Sequence, residues 1–349
     1  MARATVRFEH VDILFGRQTE AALALLDQGL GRSEIRERTG VVLGTADCTL
    51  DVAEGQILVL MGLSGSGKST LLRAVNGLSP VTRGKVLVHD GKWLVDVARC
   101  DERTLRRVRK ACVAMVFQHF GLLPWRTVEE NVGFGLELAR VHSAERHDRV
   151  ARQLELVGLA EWADRRVSEL SGGMQQRVGL ARALATEASI LLMDEPFSAL
   201  DPLIRAKLQD ELLELQARLR RTIVFVSHDL DEALKLGNRI AIMEGGRIVQ
   251  VGTPQDIVLS PATDYVREFV AHMNPLNVLR AADVMVPLDA THQIGTARAQ
   301  ARPETAIRDL LTIRLTAGMP ILIADGDQHL GWVDDEAIFR SLTGAPVGS

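Results

Sequence analysis

Lys68 and Ser69 close a glycine-rich string, Gly62-Leu63-Ser64-Gly65-Ser66-Gly67-Lys68-Ser69-Thr70. It matches G-x-x-x-x-G-K-[ST] at every fixed position. The chemistry such a string performs is phosphate binding. Its glycines let backbone N–H groups turn inward around phosphate oxygens. Lys68 is placed to reach the β- and γ-phosphates of a nucleotide, and the Ser69 hydroxyl to ligate Mg2+. The flanking segments must hold that geometry. Ile57–Met61 is a continuous apolar run and reads as a buried strand. Ser69–Asn76 is a short amphipathic run stopped by Gly77, which reads as a helix. The helix N-terminus adds a positive dipole end at the phosphates.

Two more strings could complete a hydrolytic site. Ile190-Leu-Leu-Met-Asp194-Glu195 is an apolar strand ending in two acids. Asp194 is expected to hold Mg2+, directly or through water. Glu195 is expected to polarise the water that attacks the γ-phosphate. Upstream stands Leu170-Ser171-Gly172-Gly173-Met174-Gln175-Gln176-Arg177. Ser171, Gly172 and Gly173 open a second helix whose N–H groups suit a phosphate.

With these strings in this order, residues 41–272 resemble the ATP-binding-cassette family. The resemblance implies that two copies face each other head to tail. The phosphate loop of one and the Ser-Gly-Gly loop of the other would then close on one ATP. It also implies roles for three further residues. Gln118, in Val116-Phe-Gln118-His, would sense Mg2+ and the attacking water and relay that state to a membrane partner. Asp201, in Ser198-Ala-Leu-Asp201, would contact the opposite cassette, or cap a helix before Pro202, or do both. His228 follows the apolar strand Thr222–Val226 and would touch the γ-phosphate. The family also stacks adenine on an aromatic residue at a set spacing before Gly62. That position falls near Thr39, where no aromatic stands, leaving Val41 or Val42 as an apolar platform.

The fold class expected is α/β. It comprises a P-loop NTPase cassette core with an antiparallel β segment and a helical subdomain, plus a small α/β C-terminal regulatory-like domain. The chain has 349 residues, 46% of them hydrophobic, enough for one large and one small domain. A net charge of −4 gives no global signal for nucleic acid, so no nucleic-acid partner is expected. The three cysteines, Cys48, Cys100 and Cys112, show no metal spacing and fit a reducing compartment. Glu9, His10 and Asp12 break any signal-like apolar run. The longest apolar runs, such as Ile57–Met61, fall far short of the roughly 18 residues of a membrane helix.

Along the chain, residues 1–40 read as an irregular strand followed by two short helices around Gly29–Gly31. Those helices are an insertion relative to a minimal cassette. Residues 119–182 read as the helical subdomain. Asp201–Arg220 carries Leu203, Leu208, Leu212, Leu215 and Leu219 as ordinary core packing. The basic cluster Arg103–Lys110 reads as a solvated helix face. Ile240–Met243, Glu244-Gly245-Gly246 and Arg247–Val251 read as a hairpin. In 276–349, a helix from Pro303, strands at 320–324 and 330–333, and a helix over 334–342 resemble one cystathionine-β-synthase (CBS)-type motif. A structural or dimerising add-on and a nucleotide or salt sensor both fit it. The stretch 278–302 has little pattern.

The 17–38 insertion, the phosphate-loop string and Asp194-Glu-Pro-Phe-Ser-Ala-Leu-Asp-Pro-Leu-Ile-Arg205 resemble one importer subfamily. It takes up glycine betaine, proline betaine, choline and related quaternary amines. The short C-terminal region resembles its choline-type members. The implied partners are a second copy, an integral-membrane permease and a periplasmic or lipid-anchored substrate-binding protein. The implied location is the cytoplasmic face of the plasma membrane. The same motor serving histidine or proline, and a non-transport soluble cassette, are the competing readings.

Overall fold

The computed structural model describes residues 4–118, 121–198, 200–271, 276, 278–288, 299–318 and 320–343. Expectations for 1–3, 119–120, 272–275, 289–298 and 344–349 lie outside the described residues. The chain forms two compact units, one of Met1–Asp229 with Leu236–Val249, the other of Leu230–Lys235 with Gln250–Ser349.

In the first unit, β1 (Ala4–Phe15) is followed by α1 (Thr19–Asp27) and α2 (Arg32–Thr39). Next come β2 (Val42–Ala53), β3 (Ile57–Met61) and α3 (Lys68–Ala74). Then follow β4 (Arg83–His89), β5 (Leu94–Asp96), α4 (Glu102–Ala111) and β6 (Val113–Val116). The helical segment is α5 (Val128–Val132), α6 (Phe134–Leu138), α7 (Ser143–Leu156) and α8 (Gly172–Ala185). The chain then runs through β7 (Ile190–Asp194), α9 (Pro202–Leu219), β8 (Thr222–Val226), α10 (Leu230–Leu236), β9 (Arg239–Glu244) and β10 (Arg247–Gly252), of which α10 up to Lys235 and β10 from Gln250 fall in the second unit.

Two sheets result. The antiparallel one has the order β2-β1-β4-β5, and the other the order β10-β9-β3-β8-β7-β6. In the second, β3 pairs in parallel with β8 and β9, and β7 with β6 and β8. Every residue of β3, β7 and β8 is buried. Strands covered on both faces must be apolar throughout, which is why their sequences run unbroken rather than alternate. β1 keeps a broken alternation because its pairing with β2 shifts register at several points. The β9–β10 turn has positive φ at both Gly245 (58°) and Gly246 (92°), the geometry that twists two-residue hairpins correctly.

The helix pattern of α9 holds only in part. Leu208 and Leu212 are buried, but Leu203 is 80% and Leu219 49% exposed. Five residues at 3.6 per turn put Leu203 roughly 140° round from Leu208, off the apolar stripe. Leu219 lies on the stripe but in the last turn. The basic face of α4 is exposed, and several of its cations still find partners: Arg107 donates to Asp90, Lys110 to the Leu138 carbonyl, and Arg109 to the Asn76 and Gly77 carbonyls after α3.

The second unit contains α11 (Pro254–Leu259), α12 (Asp264–Val270), α13 (Ala281–Val284), β11 (Val286–Pro287), β12 (Ala299–Ala301), α14 (Ile307–Ala317), β13 (Ile321–Asp325), β14 (Gln328–Val333) and α15 (Asp335–Thr343). Its sheet order is β11-β14-β13-β12. β12 runs parallel to β13 across the α14 crossover, and β14 returns antiparallel. Ile307, Leu310, Ile321, Ile323, Val333 and Ile338 form its core.

Candidate functional site

The parallel strands bring their C-terminal ends level. Leu60 of β3 pairs with Val226 of β8, and Val226 in turn with Asp194 of β7. Three local sequences thus emerge side by side: the phosphate loop after β3, Glu195 after β7 and His228 after β8. Phe197, just after Glu195, and Phe225, just before Val226, are buried and pack with ring centroids 5.8 Å apart.

The loop is shaped by close backbone approaches. A Cβ on Gly62 (φ +140°) would lie 2.1 Å from the Met243 carbonyl oxygen. One on Gly67 (φ +103°) would lie 2.4 Å from that of Gly44. Only glycine fits at either position. The β9–β10 turn braces the loop from beneath, since the Gly246 N–H donates to the Ser66 carbonyl at 3.1 Å. Leu63, Ser64 and Gly65 are exposed at the mouth. The Lys68 ammonium donates to the Gly62 and Leu63 carbonyls at 2.8 and 3.0 Å. Its burial lowers the lysine pKa from the usual value. The Ser66 hydroxyl is buried and has no hydrogen-bond partner among the described residues. An orphaned hydroxyl inside a cradle of glycines fits a phosphate oxygen.

Asp194 is fully buried yet carries two partners. The Ser69 hydroxyl donates to its Oδ1 at 2.6 Å. Arg73 donates to its Oδ2 through Nε at 3.2 Å and through a terminal nitrogen at 2.8 Å. A hydroxyl and a carboxylate oxygen this close are suitable donors for Mg2+. Sequence reading missed Arg73. The signal was there: Arg73 is four residues after Ser69, on the same face of α3.

Glu195 has φ +49°, a left-handed conformation that costs a non-glycine residue energy. Its N–H donates to the Val226 carbonyl at 3.1 Å, which helps hold it there. Two side chains converge on its Oε2: the Gln118 amide donates to it at 3.2 Å, and His228 Nδ1 lies at 3.3 Å. Gln118, Glu195 and His228 are thus one cluster beside Lys68, Ser69 and Asp194.

Other expected site residues stand apart. The Ser171 hydroxyl accepts the Met174 N–H at 3.4 Å and caps α8. Gly173 packs against Leu200, and nothing lies within 4 Å of a Cβ on Gly172. Asp201 caps α9 by accepting the Ile204 N–H at 3.1 Å. Among the described residues no hydrogen bond or ion pair joins Ser171, Gly172, Gly173 or Asp201 to the phosphate loop.

Of the two candidates for the apolar platform, Val41 and Val42, only Val42 is exposed. Val41 is fully buried, so it cannot meet a ligand. Phe15 can: it is 39% exposed and pairs across the β1–β2 ladder with Val42, itself 37% exposed. A Cβ on Gly44 would touch both the Phe15 ring and the Thr70 methyl at 2.9 Å, so the ring lies beside the phosphate-loop helix. The α1–α2 insertion separates Phe15 from Gly62 along the chain. It lengthens the chain between the aromatic and Gly62, while the strand pairing keeps them near in space.

The ABC transporter family description matches residues 45–198. The ProV ATP-binding protein of an Escherichia coli glycine betaine/proline betaine transport system is 52% identical over 271 residues, covering 78% of this chain and 67% of that one. The chain belongs to the ABC transporter ATPases. The TmoW ATP-binding protein of the Ruegeria pomeroyi trimethylamine N-oxide transport system is 47% identical over 281 residues, 80% of this chain and 81% of that one. Among solved structures, a dimer of the cassette MJ0796 in a post-hydrolysis state with ADP and Pi is similar. Its TM-score is 0.61 at 29% identity, covering 71% of this chain and 98% of that one. ABC ATPases pair as dimers and associate with a membrane permease. No described helix of this cassette is long and apolar enough to cross a membrane.

Proposed function

We propose that this ATPase drives an importer for glycine betaine- or choline-type quaternary amines from the cytoplasmic face of the plasma membrane. Two copies act on a separate permease, which receives cargo from a substrate-binding protein. The observation that carries the motor role is the convergence of Gln118 and His228 on one oxygen of a strained Glu195. The cargo reading rests on the names of the relatives, which transport methylated amines.

Residues Gly62 to Thr70 wrap the phosphates, with Lys68 leaving its two carbonyls for the β- and γ-phosphate oxygens. Ser69 and Asp194, with Gln118 beside them, would hold Mg2+, and the ion would supply positive charge to the phosphates. Glu195 takes a proton from the attacking water as its oxygen bonds to the γ-phosphorus. The bond to the β–γ bridging oxygen breaks and ADP leaves. His228 steadies the γ-phosphate. Gln118 connects this event to the helical segment that docks on the permease. Ser171, Gly172 and Gly173 of the second copy close the site, and Asp201 lies at that junction. The exposure of Ser171, Gly172 and Asp201 in a single chain supports this reading. Phe15 stacks on adenine. The second unit, with its single CBS-like βαββα order, takes no part in hydrolysis and serves as a structural or dimerising add-on, or as a sensor.

The test is uptake of labelled choline, glycine betaine and histidine in cells with the cognate permease, carrying wild-type chain or Glu195→Gln. Loss of one of the two amines in the mutant supports both motor and cargo. Loss of histidine alone keeps the motor and changes the cargo. Uptake of all three unaffected by the mutation removes the transport reading.

A further inference from the structure

The α1–α2 insertion touches the phosphate loop through one side chain. Arg32, the first residue of α2, donates to the Gly65 carbonyl. Its placement is rigid. Ala22, Leu26 and Ile35 of the insertion are buried in one cluster with Leu14, Val41 and Leu43. Asp27, the last residue of α1, is held by Arg83 through two bonds of 2.8 and 2.9 Å. The same Arg83 donates to Asp12 of β1 at 2.6 Å. The Gly31 N–H donates to Glu34 at 3.0 Å, fixing the turn just before Arg32.

Arg32 makes no ion pair and no other hydrogen bond among the described residues. A guanidinium carries five N–H donors and is always charged. One donor is used on Gly65, and Gly65 itself is open, with nothing within 4 Å of a Cβ there. An unpaired, half-buried cation with donors to spare therefore sits on the rim of the anion cradle. The Phe15 ring lies near Thr70, which closes the same string.

Resting on the nucleotide reading above, we propose that Arg32 is a nucleotide-binding residue supplied by the insertion. Its charge meets the polyphosphate at the loop's outer rim, and the Gly65 carbonyl holds the guanidinium there beforehand. The insertion is then a third wall of the ATP site, not a surface ornament.

The simpler role for Arg32 is a neutral staple on the loop. Three variants of the full chain separate the two: Arg32→Lys keeps the charge, Arg32→Gln keeps a donor for the carbonyl, and Arg32→Ala keeps neither. MgATP binding is measured by calorimetry at low and high salt, together with steady-state KM and kcat. We expect Gln and Ala to weaken binding about three- to fivefold at low salt, and Lys to retain most of it. The gap should shrink at high salt, because exposed charges are screened. KM should rise more than kcat falls. Wild-type affinity in Arg32→Gln, or Arg32→Lys as weak as Ala, overturns the proposal. If Ala fails to fold, the Lys and Gln pair still decides. Lys68→Ala is the control for the underlying reading: if wild type fails to bind MgATP, or binds no better than Lys68→Ala, the nucleotide reading fails. If Lys68→Ala alone loses binding, only the role of Arg32 fails.

Discussion

The Gln118 amide donates to the Glu195 carboxylate at 3.2 Å, across 77 residues of chain. That bond links the start of the helical segment to the acid at the end of β7. Any motion of Gln118 that follows the helical segment must change the surroundings of Glu195, and the reverse. The sheet sets both positions, Gln118 just after β6 and Glu195 just after β7, where its N–H donates to the Val226 carbonyl.

Glu195→Gln keeps side-chain size and removes the proton acceptor. Steady phosphate release should fall at least a hundredfold, the usual scale for losing a general base. MgATP affinity should stay within about threefold of wild type. Near wild-type phosphate release in this variant would sink the assignment of Glu195.

Gly67→Ala should be far worse than Gly65→Ala. The first drives a Cβ to 2.4 Å from the Gly44 carbonyl, whereas the second meets nothing within 4 Å. Both have positive φ, which alone costs about 1 kcal/mol. Thermal unfolding should show a small drop for Gly65→Ala and a large one for Gly67→Ala, with ATP binding lost in the latter. Equal melting temperatures contradict the close approach.

Phe15→Ala should weaken ATP binding by roughly five- to thirtyfold, the loss of about 1–2 kcal/mol of base stacking. Phe15→Trp should retain it. Tripolyphosphate, which has no base, should bind both variants like wild type. A Phe15→Ala protein with unchanged ATP affinity removes the platform.

His147 sits 2.8 Å from Glu129, and the hydrogen bond and charge of that carboxylate raise its pKa above the ordinary histidine value. A raised folded-state pKa contributes stability that is fully present below about 6.5 and is lost as pH rises through the folded value. An NMR titration of His147 should give a midpoint above 6.5, returning to the ordinary value in Glu129→Gln. A midpoint unmoved by that substitution contradicts the pair.

Cys48 is buried and its thiol donates to the Gly246 carbonyl at 3.3 Å. Burial pushes its pKa up to about 12. Only the thiolate reacts, so iodoacetamide at about pH 8 should leave Cys48 unmodified in the folded chain. Mass spectrometry locates the label; rapid modification of Cys48 under native conditions would show that this site opens.

Much of the site was legible because its parts are local. The phosphate loop, the Asp194-Glu195 strand end and the Ser171 helix start are contiguous strings whose spacing follows from backbone geometry. The structure leaves their boundaries almost unmoved, with β3 at Ile57–Met61 and α3 opening at Lys68. What spacing could not carry was any relation across the chain. The nearness of Phe15 to the phosphate-loop helix was hidden because a count along the sequence passes through the insertion, while the β1–β2 ladder ignores it. Leu203 was misread because a list of leucines is not yet a helix face. β12 was missed because Ala-Gln-Ala has no strand signature, and only pairing with β13 makes it one.

The sequence by itself determined where the phosphate-binding string lies and which strand and helix flank it, because a loop of glycines needs no distant partner to define it. Only the tertiary structure decided that Gln118 and His228 share one oxygen of Glu195, that Arg73 partners Asp194, and that the insertion reaches Gly65. Those relations depend on strand register and on which faces are buried, and both are set by packing the whole sheet at once.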